Sequence, residues 1–224
     1  MIKTNTILDT IQSQIILWCG ATKDAGEMAL MAQYVLENKF NQISVAPDSV
    51  GVMWPWLENK NVKIWARFYL PEKKISEQQI SDVTVRINTV LKQGADGAQV
   101  FVAYAALADL VTQTCMVRDD LFFDKQLAIG VDVDEVGVFE WGDFYANLQK
   151  INASAVILVL TNDTGKKSDF VGRIYAMLSA WSDENKFDVH FALGANLLRI
   201  EQVQRLVKQM RPELEGRINF IVNY

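Results

Sequence analysis

Short apolar runs alternate with longer segments of helical periodicity eight times along this chain. The runs have the residue types of buried strands: IILWCG (15–20), QISVAP (42–47), VKIWARFYL (62–70), AQVFVAY (98–104), KQLAIGVDV (125–133), SAVILVL (154–160), DVHFALG (188–194) and RINFIV (217–222). Strands that are almost continuously apolar are typical of parallel sheets covered on both faces, because neither face meets water. Eight such repeats in 224 residues favour an α/β fold with a closed, parallel (β/α)8 barrel, the TIM barrel, over an open doubly wound sheet.

The alternation runs without a linker rich in Gly, Pro or Ser, so we expect residues 1–224 to form a single barrel domain. The last helix of the pattern, after strand eight, is missing because the chain stops at Tyr224. Two alternatives follow for that position. Either that end of the barrel is open, or another chain or the N-terminal segment covers it.

Composition narrows the classes of function. Lys and Arg total 22 against 27 Asp and Glu, a formal charge of −5, which provides no basic stripe for nucleic acid and no polybasic membrane patch. No apolar run approaches the roughly 20 residues of a membrane span, and no secretory signal is visible. Two cysteines and one histidine without a CxxC pair argue against zinc and disulfides. We expect a cytoplasmic protein without nucleic-acid or membrane partners.

In a barrel of this kind the functional residues are expected at the carboxyl ends of the strands. Polar side chains at those ends include Arg67, Tyr104, Asp132, Asp134, Glu135, Thr161, Asn162, Asp163 and Asn196. Among them Asp132, Asp163 and Tyr104 are the candidate acid–base groups. No nucleophile–base pair is evident, because His190 lies early in its strand, where a buried core histidine is the favoured interpretation.

The acidic residues of this set raise the question of a metal. Asp132, Asp134, Glu135 and Asp163 could supply oxygen ligands to magnesium or calcium. The interpretation we favour is that Asp134 and Glu135 cap the helix that follows and are solvated. We therefore expect no cofactor, with a divalent metal as the alternative.

Two stretches resemble deoxyribose-phosphate aldolases, which are class I aldolases on a (β/α)8 barrel. SVAPDSVGVMWPWLENKNVKIWARF (44–68) resembles their second strand, proline-bearing loop, helix and third strand, and GADGAQVFVAYAAL (94–107) resembles GADEVDVVxxYxAL around strand four. Weaker similarity continues, with GVDVDEV (130–136) in the place of IIETGEL, LTNDTGK (160–166) in that of IKTSTGK, and FALGANLLRIEQVQRL (191–206) in that of FKPAGGVRTAEDAQKY. The resemblance covers most of the chain.

The catalytic positions of that family are changed here. The family forms a Schiff base between a strand-six lysine and the substrate carbonyl, and Thr161, which cannot form an imine, stands at the matching position. A second lysine on strand seven corresponds to Ala192, or to His190 if the alignment shifts by two. The strand-four aspartate corresponds to Gln99. Lys166 survives from the motif, beyond Gly165, and is expected in the loop.

Three hypotheses stay open, and with them whether the chain is an enzyme. The first is an aldolase-like lyase that acts on a small sugar or keto metabolite through the acid–base groups named above, with the substrate bound by Arg67, Gln99, Thr161, Asn162, Asn196 and Lys166. The second is a catalytically inactive relative that binds a metabolite. The third is a homo-oligomeric scaffold with Trp54, Trp56 and the strand-eight edge in contacts.

Overall fold

The computed structural model describes residues 11–20, 24–117, 126–160, 170–194 and 196–223, which form one closed barrel of parallel strands in chain order. The strands are β1 (Ile15–Trp18), β2 (Gln42–Val45), β3 (Lys63–Leu70), β4 (Gly97–Val102), β5 (Gln126–Asp132), β6 (Ala155–Val159), β7 (Asp188–Ala192) and β8 (Ile218–Asn223). The described helices are α1 (Ala25–Glu37), α2 (Val50–Leu57), α3 (Glu77–Lys92), α4 (Leu107–Val117), α5 (Trp141–Lys150), α6 (Phe170–Ala180) and α7 (Leu197–Met210). The (β/α)8 prediction is confirmed.

The seam between the first and last strands is closed. β1 and β8 pair in parallel from Ile15 opposite Phe220 to Trp18 opposite Asn223. No helix follows β8 in the described part of the chain. Across the seam, Gln14 Nε2 donates a hydrogen bond of 2.8 Å to the carbonyl of Glu215. Residues just before β1 therefore contact the turn that leads into β8, at the amino ends of the two strands.

Side chains of each strand alternate between the helices and the barrel interior. On β3, Ile64 and Phe68 belong to the large apolar core between barrel and helices, whereas Trp65 belongs to a small cluster inside the barrel. Arg67 and Tyr69 share the inward face with Trp65, because residues two apart on a strand point the same way. This alternation fixes which residues can form a site.

Two large rings fill much of the interior and require glycine on neighbouring strands. A Cβ atom at Gly97 would lie 2.7 Å from the ring of Trp65, and one at Gly130 would lie 2.4 Å from the ring of Phe101. Real Cβ atoms do not approach other atoms this closely, so neither glycine accepts a side chain without movement of a ring or a strand. The rest of this interior cluster is aliphatic: Ile16, Ala128, Ala155, Ile157, Ala192 and Ile221.

His190 lies inside the barrel, edge-on to Trp65 with ring centroids 5.7 Å apart. Burial, with a smaller contribution from the charge of Lys63, lowers the pKa of His190 to about 3. The imidazole is therefore neutral at physiological pH. The interpretation of His190 as a buried core residue is confirmed, but the hydrogen bond expected for such a residue is absent at Nδ1 within the described residues.

Two of the helices begin in different ways. Ser76 and Gln79 form a capping box at α3. At α2, Asp48 lies within a 3-10 turn, Pro47–Ser49, that runs directly into the helix, so Ser49 is the N-cap residue. In the described residues, no helix is both long and apolar enough to cross a membrane.

Replacing Gly97 tests the packing of Trp65 against β4. In Gly97→Ala the new Cβ would also lie 2.6 Å from the backbone oxygen of Gln126, which is held in the strand ladder. We expect the free energy of unfolding, measured by urea denaturation, to fall by about 2 kcal/mol. Gly142→Ala is the matched control, because its Cβ meets nothing within 4 Å; it should raise stability by about 0.5–1 kcal/mol. Equal stability of wild type and Gly97→Ala would contradict this packing.

His190 should make stability depend on pH. Its pKa is about 3 in the folded protein against about 6.5 in the unfolded chain, so below pH 6.5 the unfolded state binds more protons. Stability is therefore fully present above pH 6.5 and falls as the pH drops, by about 1 kcal/mol per pH unit. Urea unfolding of wild type and His190→Gln between pH 7 and 4.5 measures the difference. The variant should show the flatter profile, and parallel profiles would exclude a buried neutral imidazole.

Candidate functional site

The mouth of the barrel holds a cavity of about 220 Å³ at the carboxyl ends of β3 to β6. Its lining includes Tyr69, Phe101, Gly130, Asp132 and Val159. These residues lie on the inward face of four neighbouring strands, as the strand registers require. The cavity therefore occupies the place where barrels of this class carry their function.

Arg67 lies below this cavity, inside the barrel, and is only 5% exposed. Its guanidinium donates to the carbonyl of Ser44 at 3.1 Å and to the carbonyl of Cys19. It also stacks on Trp18, with Cζ 4.2 Å from the ring centroid. Burial lowers the pKa of the guanidinium, because removal from water penalises the charged form. Arg67 was predicted to bind substrate, and the structure places it in the interior beside the mouth.

Gln99 is the register partner of Arg67 on β4 and is fully buried. The hydroxyl of Ser44 donates a hydrogen bond of 2.6 Å to its Oε1. This contact fixes the orientation of the amide, so that Nε2 points away from Ser44. Among the described residues, neither Gln99 Nε2 nor Arg67 Nε has a hydrogen-bond acceptor, and both atoms are buried. Two adjacent donors are thus available inside the barrel.

Three aromatic side chains, which we call the aromatic cluster, connect Arg67 to the cavity: Trp18, Tyr69 and Phe101. Trp18 meets Phe101 edge-on at 5.3 Å between ring centroids, and Tyr69 stacks on Phe101 at 5.2 Å. Trp18 contacts the guanidinium, while Phe101 and Tyr69 line the cavity. The cluster therefore lies between the buried cation and the open mouth.

The acidic residues after β5 have separate partners. Asp132 lines the cavity and caps the turn Val133–Glu135 by accepting from the backbone N–H of Asp134. Asp134 forms an ion pair with Arg173 on α6. Glu135 accepts a hydrogen bond of 2.7 Å from the backbone N–H of Tyr104.

The expectation that Asp134 and Glu135 cap the next helix is therefore wrong, since a short turn intervenes and both side chains contact other elements. Both residues are exposed to solvent, as expected. Glu140 is the N-cap residue of α5, and its side chain makes no capping hydrogen bond. Across the described ranges, no group of three or more His, Cys, Asp and Glu side chains is arranged to hold a metal ion.

Tyr104 points away from the barrel interior. Its ring packs edge-on against Phe144 of α5 at 6.1 Å between centroids. Burial, and then the charges of Glu140 and Asp143, raise the pKa of its hydroxyl. The structure therefore places Asp132 at the cavity but directs the Tyr104 ring toward α5, so it does not bring these two acid–base candidates together.

The carboxyl end of β7 places a small side chain, Ala192, inside the barrel and is followed by Asn196, the N-cap residue of α7. Ala192, which with His190 is one of the two positions that the resemblance matches to the second lysine, is buried in the interior cluster. Asn196 is exposed and caps α7, with its side chain accepting from the backbone N–H of Arg199. Arg199 donates to the carbonyl of Leu160 at 3.0 Å, next to the end of β6.

Four predicted site residues lie outside the described residues: Thr161, Asn162, Asp163 and Lys166. Their assignment stays a prediction.

Sequence reasoning missed Ser44, Trp18 and Phe101 as parts of the site. The available signal was strand alternation, because Ser44 is a polar residue inside an apolar run and faces Gln99 across the barrel interior. Cys19 is buried as expected, and burial raises the pKa of its thiol to about 12. The side chain of Cys115 is outside the described part.

Comparison with known proteins gives a fold but no sequence family. Neither a scan against family models nor a search of curated proteins gave a match. Among solved structures, a protein from Coccidioides immitis assigned as a deoxyribose-phosphate aldolase has a TM-score of 0.73 at 14% identity, over 96% of this chain and 82% of that one.

Two further structures extend this likeness. The tetrameric deoxyribose-phosphate aldolase of Aeropyrum pernix has a TM-score of 0.71 at 12% identity, over 96% of this chain and 86% of that one. Orotidine 5'-monophosphate decarboxylase of Methanocaldococcus jannaschii has a TM-score of 0.59 at 13% identity, over 93% of this chain and 88% of that one. The protein is a (β/α)8 barrel with the fold of deoxyribose-phosphate aldolases and related barrel enzymes.

Proposed function

We propose that this protein binds a small sugar or keto metabolite at the mouth of its aldolase-like barrel and forms no Schiff base with it. The observation that carries the proposal is the placement of cations around the site. Every lysine of the described residues is exposed, whereas the buried cation of the interior is Arg67. A guanidinium stays protonated and cannot act as the amine nucleophile.

The positions matched to the family's catalytic residues support the same conclusion. An imine lysine needs a desolvated site that lowers its pKa and leaves the amine neutral. Ala192 occupies the interior where the resemblance expects the second lysine, and Gln99 replaces the aspartate. Gln99 has no useful basicity, and its amide oxygen already accepts a hydrogen bond from Ser44.

Without a Schiff base, the hypothesis of an aldolase-like lyase requires that the reaction proceed by acid–base chemistry alone. Among the described acid–base candidates Asp132 lines the cavity, so proton transfer in such a reaction would use its carboxylate.

Borohydride trapping tests the absence of a Schiff base. Wild-type protein incubated with deoxyribose 5-phosphate and sodium borohydride should show no increase in intact mass, because no lysine of the described residues lies in the interior, where the reducible imine would form. The Thr161→Lys/Ala192→Lys double variant is the matched positive control, since it restores both family lysines. A folded double variant should gain the mass of the reduced adduct. An adduct on Lys166 or any other lysine of the wild type would overturn the proposal.

A homo-oligomer is the second candidate role, favoured by apolar side chains on the surface. On α2, Trp56 is 50% exposed and Trp54 packs on Gly94 while remaining partly exposed. Phe139, in the segment before α5, is 98% exposed. A fold neighbour from Aeropyrum pernix is described as tetrameric.

Light scattering coupled to size exclusion measures the oligomeric state. We expect an assembly larger than the 25.3 kDa chain, and Trp56→Glu or Phe139→Glu should shift it toward monomer, because a charge in an apolar interface is costly. A wild type that is monomeric at every concentration would remove the scaffold role and leave the metabolite-binding proposal unaffected.

A further inference from the structure

Arg67 differs from Arg211 and Arg217, two other arginines that donate to backbone carbonyls. Arg211 donates to the carbonyls of Leu178 and Trp181 and lies 3.8 Å from a carboxylate oxygen of Glu213. Arg217 has the same arrangement, with its counter-charge supplied by Asp188 at 3.5 Å. Arg67 is more deeply buried than either, and no carboxylate of the described residues pairs with it.

A buried guanidinium without a counter-charge is expensive, because burial removes its hydration and carbonyl dipoles replace only part of it. The Nε–H of Arg67 is also without an acceptor. Natural folds seldom keep such a group unless something compensates the charge when the protein functions.

Gln99 places a second donor beside the first. The two residues are register partners on β3 and β4, and both side chains point inward. Because Ser44 occupies Oε1 of the amide, Nε2 is the atom that faces away from Ser44, and it too is buried without an acceptor. The neighbouring interior surface offers donors and a positive charge, which is the complement of an oxyanion.

We propose that Arg67 and Gln99 bind the carboxylate of a small organic acid, with Arg67 Nε and Gln99 Nε2 each donating to one oxygen. This inference rests on the proposed function and names its ligand as a small keto acid rather than a neutral sugar. The aromatic cluster lies between these donors and the cavity, so its rings must shift for the carboxylate to enter, while the remainder of the acid extends into the cavity.

A carboxylate suits this site better than a phosphate. One guanidinium balances a single negative charge, and two donors match the two oxygens of a planar carboxylate. The charged residues that line the cavity, Asp132 and Glu135, are both acidic and would repel a dianion. The turn after β7 contains one glycine, Gly194, and so lacks a glycine-rich phosphate cradle.

Thermal unfolding with defined probes tests the site. Pyruvate should raise the melting temperature in a saturable manner, by about 5–10 °C at 100 times its dissociation constant. Methyl pyruvate keeps the keto group without the charge and should have little effect. Inorganic phosphate should also have little effect, and a larger shift with phosphate than with pyruvate would overturn the carboxylate assignment.

Variants separate binding from folding. Arg67→Met should weaken pyruvate binding at least about tenfold, because a hydrogen bond to a charged group is lost. Arg211→Met, the control, removes an arginine that also holds backbone carbonyls and should leave the pyruvate response intact. Gln99→Glu supplies an internal carboxylate to Arg67, so this variant should melt at a higher temperature than wild type and lose its response to pyruvate.

The outcomes distinguish this inference from the proposed function. Equal shifts with pyruvate and methyl pyruvate, or a Gln99→Glu variant that responds as wild type does, would overturn the carboxylate site while a metabolite at the mouth is retained. No shift with pyruvate would also overturn it. A borohydride adduct would defeat the proposed function whatever the shifts show.

Discussion

The inward direction of every second strand residue is the constraint on which this structure depends. Eight parallel strands closed into a barrel send these side chains toward one axis, and their volumes must fill the space between them. Trp65 and Phe101 take much of that space, which is why Gly97 and Gly130 lie on the neighbouring strands. The same alternation brings Arg67 inside, two residues after Trp65.

A charge in this interior changes what the barrel can do. A buried lysine can lose its proton and become a nucleophile, whereas a buried arginine keeps its charge and serves to bind an anion. The resemblance to deoxyribose-phosphate aldolases predicts two lysines and an aspartate, and the chain has Thr161, Ala192 and Gln99 at those positions. We interpret the interior as suited to binding an anion rather than to forming a covalent intermediate, with Arg67 and Gln99 among its buried polar residues.

The fold could be predicted from the sequence because it depends on apolar runs and their number, which the sequence shows directly. The resemblance in 44–68 and 94–107 agreed with the solved structures at the level of fold. The arrangement of the site was harder to predict from the sequence, because the direction of a side chain near a strand end depends on the local turn. Tyr104 follows β4 but turns toward Phe144, and Asp134 turns toward Arg173. No periodicity encodes these partners.

The contacts between polar side chains inside the barrel could not be predicted from the sequence, for a different reason. Ser44 and Gln99 are 55 positions apart and meet only because β2, β3 and β4 are neighbours in register. The sequence indicates that Arg67 lies near the mouth, but only the three-dimensional structure shows that no carboxylate of the described residues pairs with it. The segment that holds Thr161 to Lys166 adds no geometry, because it lies outside the described residues.

Recognition by Arg67 and Gln99, in place of an imine lysine, can be observed in a crystal structure of the protein with pyruvate. We expect carboxylate density within hydrogen-bond distance of Arg67 Nε and Gln99 Nε2, with no covalent link to the protein. Density continuous from the keto carbon to a lysine Nζ, or pyruvate bound elsewhere with these two donors facing ordered water, would contradict it.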